Sequence, residues 1–132
     1  MQVEVLRLQP GEDLRGALEV AFRGLADTKA ACIVSGLGSF TQAVLRFANQ
    51  SEGTVVEGPL ELLTLAGTLS ADGAHLHASV SDAQGRVTGG HVMPGCVVRT
   101  TAELVIGLLE RWEFRREMDE ETGFKELIVK KR

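Results

Sequence analysis

Residues 74–92 constrain the chain more than any other stretch. In His75-Leu76-His77-Ala78-Ser79-Val80-Ser81 polar residues take every odd position and apolar residues every even one. Such alternation marks a β-strand with one face in a core and the other outside it. His75, His77, Ser79 and Ser81 therefore share one face, and Leu76, Ala78 and Val80 share the other. Asp82-Ala83-Gln84-Gly85-Arg86 follows and fits a three-residue hairpin loop with glycine in the left-handed position. That loop pairs Asp82 with Arg86, and counting outward sets His77 opposite His91. These are the only histidines in the chain, so one antiparallel pair carries all three. Gly89-Gly90 leaves room beside the His91 ring, whereas a bulge there would shift the register by one residue.

The rest of the chain reads in similar terms. Residues 2–8 alternate around Val3 and Val5, with a slip at Leu6, and Pro10-Gly11 ends the strand. Leu14, Ala17, Leu18, Ala21, Phe22 and Leu25 fall at helical spacing, with Glu12 and Asp13 at the entrance, which predicts a helix over 12–26. Residues 30–34 form a short apolar strand, which Ser35-Gly36-Leu37-Gly38-Ser39 ends as a tight glycine turn before a second strand over 41–48. Val55-Val56 and residues 59–70 supply one or two more strands, and Ala71-Asp72-Gly73 turns into the histidine strand. Residues 96–109 carry conflicting signals. Thr100-Thr101-Ala102-Glu103 has the form of a helix capping box, but Val97, Val98, Thr100, Thr101, Val105 and Ile106 are β-branched, and a long strand is the reading adopted. Residues 114–118 and 124–129 flank Asp119-Glu120-Glu121-Thr122-Gly123 as a terminal hairpin. The expected fold class is α+β: one domain over residues 1–132, a largely antiparallel sheet with one or two flanking helices.

Composition limits the function. The apolar run over 104–109 is far too short to cross a membrane, and the charged, alternating N-terminus is no signal peptide, so the cytoplasm is expected. A net charge of −4 disfavours DNA, whose binding rests on neutralised phosphates. A patch of Arg46, Arg99, Arg111, Arg115 and Arg116 is the alternative, or simply a solvated face. Cys32 and Cys96 fit no zinc-finger spacing and read as reduced, mostly buried thiols. A mean hydropathy of +0.06 leaves apolar surface that an oligomer would cover.

Chemistry centres on His75, His77 and His91. Three neutral imidazoles with an open fourth position are the pattern of a catalytic or ligand-exchanging zinc, and iron, nickel or manganese accept the same donors. The competing reading is a polar sheet face or a cluster at an oligomer interface. Glu61 lies in the apolar segment Gly58-Pro59-Leu60-Glu61-Leu62-Leu63, where a bare charge is costly unless paired. It is the candidate acid/base, with an outward-facing strand residue as the alternative. Residues 35–39 could cradle an anion only by opening a helix, but residues 41–47 after them read as a strand, and a tight glycine turn is the alternative. Cys96 as a fourth ligand is the weakest option.

Taken together, several segments resemble the PPC (plants and prokaryotes conserved) domain. They are Leu8-Gln9-Pro10-Gly11-Glu12-Asp13-Leu14, Ser35-Gly36-Leu37-Gly38-Ser39, Leu45-Arg46, Gly58-Pro59-Leu60-Glu61-Leu62-Leu63, Gly67-Thr68-Leu69-Ser70, His75-Leu76-His77, Gly89-Gly90-His91 and Thr122-Gly123. The resemblance implies a strongly bent antiparallel sheet with a flanking helix, assembled as a homotrimer. Family members often carry a DNA-binding label that comes largely from an AT-hook, and this chain has no Arg-Gly-Arg-Pro core. The fold is also similar to that of acetolactate decarboxylase, which holds zinc with a His-x-His pair and a later histidine; His75, His77 and His91 match that arrangement. The expectation is a cytoplasmic homotrimer holding a divalent metal, zinc, through the three histidines, with metal-dependent catalysis on a small oxygen-bearing molecule left open. The alternatives are a DNA-associated regulator and a trimeric interaction module without chemistry.

Overall fold

Alternation of buried and exposed side chains governs most of the chain. The computed structural model describes residues 1–132. Its elements are β1 (Gln2–Leu8), α1 (Leu14–Arg23), β2 (Ala31–Arg46), β3 (Thr54–Ser70), β4 (Gly73–Ser81), β5 (Val87–Val92), β6 (Val97–Leu108), β7 (Trp112–Met118) and β8 (Lys125–Lys131). Six strands form one sheet in the order β1-β6-β2-β3-β4-β5, and every pairing is antiparallel. β5 also pairs with the end of β2, through Leu45 opposite Val92 and Arg46 opposite His91. Strands β2, β3, β4 and β5 therefore close into a ring. β7 and β8 form a separate two-stranded sheet, and a single bridge joins Glu113 of β7 to Lys29.

The α+β class and the bent antiparallel sheet are as expected, with one helix. Bending comes from the two long strands. β2 has 16 residues and β3 has 17, and their register slips at Ile33/Ser35, Gly38/Phe40, Phe40/Gln42 and Leu62/Thr64. Each slip adds local twist and turns the strand.

Two sequence expectations need correction. Residues 35–39 are not a turn, because β2 runs straight through them. Their glycines serve close approach instead: a Cβ on Gly38 would stand 2.5 Å from the Thr101 carbonyl oxygen, and one on Gly36 would stand 3.0 Å from the Leu65 side chain. Of the one or two strands expected over 55–70 there is one, Thr54–Ser70, in which Gly58 and Gly67 meet neighbouring backbone in the same way. The helix is shorter than 12–26. Asp13 caps it, accepting from the Gly16 amide at 2.8 Å, and Gly24 closes it.

Residues 97–108 are a strand, as read, and Thr100 does not cap a helix. Its hydroxyl shares a 2.7 Å hydrogen bond with Ser39 on β2. The terminal hairpin is also as expected, though both strands are longer.

One face of α1, with Leu14, Leu18 and Phe22, packs onto the buried side of the sheet beside Leu76 and Val80 of β4 and Leu104 and Ile106 of β6. Leu76 and Val80 are each 1% exposed. A one-residue slip of β4 would expel both, at about 1.5–3 kcal/mol for each large apolar side chain. Core burial thus fixes which face the histidines take. The β7–β8 hairpin is tied back by the Phe114 amide to the Lys29 carbonyl (3.1 Å), by the Arg116 amide to the Asp72 carboxylate (2.8 Å) and by the Arg116 guanidinium to the Thr68 hydroxyl (3.0 Å).

Candidate metal centre

The turn after β4 sets the geometry. Asp82 donates its amide to the Arg86 carbonyl and accepts the Gly85 amide, both at 3.0 Å. Its carboxylate accepts the amides of Gln84 and Arg86 at 2.9 Å, which, the Arg86 bond foremost, holds it below the usual carboxylate range. Gly85 has φ +78°, the left-handed conformation that this loop needs from glycine. The register then runs without a bulge: Ser79 opposite Gly89, Ala78 opposite Gly90, His77 opposite His91. Gly90 serves a second purpose, since a Cβ there would stand 2.8 Å from the Arg46 carbonyl oxygen and hold β2 away from β5.

His75 and His77 share a face of β4, and His91 faces them from β5. Ring centres are 5.1 Å apart for His75–His77, 5.1 Å for His75–His91 and 5.6 Å for His77–His91. The nitrogens that could serve as ligands all lie within 4.8 Å of one another. Three imidazoles bound at 2.0–2.1 Å on the corners of a tetrahedron have ring centres about 5 Å apart and nitrogens about 3.4 Å apart. The observed ring spacing is close to that arrangement, with the nitrogens wider apart than a bound ion would set them.

Electrostatics suits the same chemistry, because a histidine must be unprotonated, hence neutral, to bind a metal. His91 is pushed down to about 4, first by burial and then by the Arg46 guanidinium opposite it. His75 is also lowered, first by burial and then by Arg116 and His77. None of the three rings hydrogen-bonds to protein, so both nitrogens of each remain available.

Two hollows border the cluster. The larger, about 840 Å³, is walled by the His75, His77 and His91 rings, Arg46, the segment 47–51 and Phe124. The smaller, about 200 Å³, lies between His75, His77, Thr68 and Arg116. Sequence reasoning missed this surround. Arg46 arrives through the β2–β5 closure and Phe124 and Arg116 through the docked hairpin, and no local pattern signals either contact.

Glu61 stands elsewhere in the chain. It is exposed on β3, opposite Ser39 and Ser81, and opens onto a third hollow of about 530 Å³ with Leu37, Leu63, Arg99 and Thr100. Within one chain it does not join the histidines. The five arginines do not converge either. Arg46 and Arg116 border the histidine hollows, Arg99 lines the Glu61 hollow, and Arg115 pairs with Glu113 at 3.2 Å. Cys96 is buried in the core, where its thiol exchanges hydrogen bonds with the Val44 backbone and burial pushes its pKa up.

The sequence pattern that defines the Plants and Prokaryotes Conserved (PCC) domain matches residues 1–110. The chain belongs to this family. Among curated relatives, the PCC chain is 44% identical over 131 residues to the bifunctional protein GlmU of Synechococcus sp. (strain JA-3-3Ab). The match takes in 99% of this chain and 21% of that protein, so the chain spans about a fifth of the length of that relative. Among solved structures, a hypothetical protein from Salmonella superposes with a TM-score of 0.93 at 43% identity, over 99% of this chain and 94% of the other. A metal-containing protein of Archaeoglobus fulgidus superposes with a TM-score of 0.82 at 28% identity, over 97% and 94% of the two chains. No helix of the PCC chain is long and apolar enough to cross a membrane.

Proposed function

We propose that this PCC-domain chain binds a divalent metal, zinc, through His75, His77 and His91, and presents it to a small oxygen-bearing molecule in the adjoining hollow. The observation that carries the reading is the spacing of the three rings, 5.1, 5.1 and 5.6 Å, on two strands whose register the core enforces. The similarity to a metal-containing Archaeoglobus protein supports it. Three protein ligands leave one corner of a tetrahedron for water or substrate. Zinc so held would serve as a Lewis acid, able to polarise a carbonyl or lower the pKa of water. The chain's part is to keep His75 and His91 neutral by burial and by the neighbouring arginines, and to aim all three rings into one opening.

The working unit in this proposal is a homotrimer. Val5, Leu37 and Leu63 are 69%, 49% and 46% exposed on the single chain, apolar surface that an assembly would cover. Glu61 is the proposed acid/base. Since it lies apart from the histidines of its own chain, the role requires the assembly to bring it to the site of a neighbour.

Metal content measured by elemental mass spectrometry tests the reading. The untagged protein is expected to carry near one zinc per chain, and the H75A/H77A/H91A triple variant none. Metal-free protein that takes up no zinc on incubation would end the proposal.

A further inference from the structure

The walls of the histidine site carry a charge pattern of their own. The chain has 18 acidic residues against 14 basic ones, yet no carboxylate lines either hollow beside the cluster. Each hollow contains one arginine instead, Arg46 in the larger and Arg116 in the smaller. Arg116 is engaged, donating to the Thr68 hydroxyl at 3.0 Å. Arg46 is half-buried, stands opposite His91 in the sheet, and has neither an ion-pair partner nor a side-chain hydrogen bond. Asn49, Gln50 and Ser51 add neutral polar groups around the same opening.

Three neutral imidazoles cancel none of the charge on a divalent ion. With the ion in place, the larger hollow would hold its two positive charges beside the unpartnered guanidinium of Arg46, in surroundings without a negative side chain. Arginine presents a planar fork of donors that matches carboxylate and phosphate oxygens.

We propose that the hollow bounded by Arg46, residues 47–51, Gly89, Gly90 and Phe124 receives a small oxyanion, a carboxylate or phosphate group, with Arg46 as its anchoring cation and the histidine-bound metal as the second. The inference rests on the metal reading and narrows it, since it gives the ligand a negative charge and its specificity to Arg46.

The test is calorimetric titration of the zinc-loaded protein with oxalate and, separately, with inorganic phosphate, zinc being counted in every sample by elemental mass spectrometry. At least one of the two anions is expected to bind, and the better one names the oxyanion class. R46Q should weaken that binding roughly ten- to hundred-fold, the loss of a charge-assisted bidentate contact, with zinc content unchanged. R46K should recover part of the loss. R111Q removes the same charge from a residue that lines neither hollow and should leave affinity as in the parent. Zinc at one per chain with no anion bound, or equal affinity in R46Q and the parent, would overturn the oxyanion site and leave the metal reading standing. No zinc in the parent would overturn both.

Discussion

Between pH 7.5 and pH 4.5, acid should act on this protein through His75 and His91. Both have pKa values below the ordinary 6.5 of histidine, His91 at about 4, with burial as the leading cause and Arg116 and Arg46 respectively as the next. In the unfolded chain both rings take up a proton near pH 6.5; the folded chain refuses the His91 proton until about pH 4 and takes up the His75 proton only below its ordinary range. Folding free energy of the metal-free protein therefore falls as pH drops through that window and is insensitive to these groups above it. The urea midpoint is expected to fall between pH 7.5 and pH 4.5, and to fall less in H91Q, which has no ring to protonate. Equal falls in the two proteins would contradict the account. Much at this scale was legible in the sequence. Alternation over residues 75–81 placed two histidines on one face, and the chemistry of Asp82 and Gly85 placed the third opposite them. Arg46 and Arg116 are visible in the sequence as charges, but what they face is not, because their neighbours lie on strands distant in sequence.

Glycine decides the elements, and it does so in two ways that composition does not separate. Gly85 bends a loop: its φ is +78° and no atom would lie within 4 Å of an added Cβ. Gly38 lets strands touch: an added Cβ would stand 2.5 Å from the Thr101 carbonyl oxygen and 2.7 Å from Ala102 Cα. G85A is expected to cost roughly 1–2 kcal/mol, the penalty for an L-residue in the left-handed region, and G85N less. G38A is expected to cost more, about 3 kcal/mol or beyond, because only backbone movement makes room. Urea denaturation of the three variants ranks these costs, and G38A as stable as G85N would contradict the packing argument. This double role explains why residues 35–39 suggested a turn but form a strand. Ser35-Gly36-Leu37-Gly38-Ser39 has the composition of a turn, while its real constraint is the nearness of β3 and β6. Where glycine stood beside a clear hairpin loop, as at Gly85, the local reading was right. Where it stood in a 16-residue strand, only tertiary contact reveals its purpose.

Closure of β2 onto β5 is the feature of the whole molecule that makes the site, and it was not legible in the sequence. It sets Arg46 beside His91 and, with segment 47–51, raises a wall over one side of the cluster. The docked β7–β8 hairpin adds Arg116 and Phe124 on the other sides. Assembly is the remaining step at this scale. Sedimentation equilibrium is expected to return about three times the 14.2 kDa chain mass, and a monomer at micromolar concentration would remove the basis for a role of Glu61 in a neighbour's site. The central claim is that the three histidines hold one metal ion, and crystals of the zinc-loaded protein test it most directly by anomalous diffraction on the two sides of the zinc absorption edge. The account predicts one strong edge-dependent peak per chain, about 2.0–2.1 Å from a nitrogen of each of His75, His77 and His91. A crystal with no such peak between the three rings, or with its zinc bound elsewhere on the chain, would contradict it.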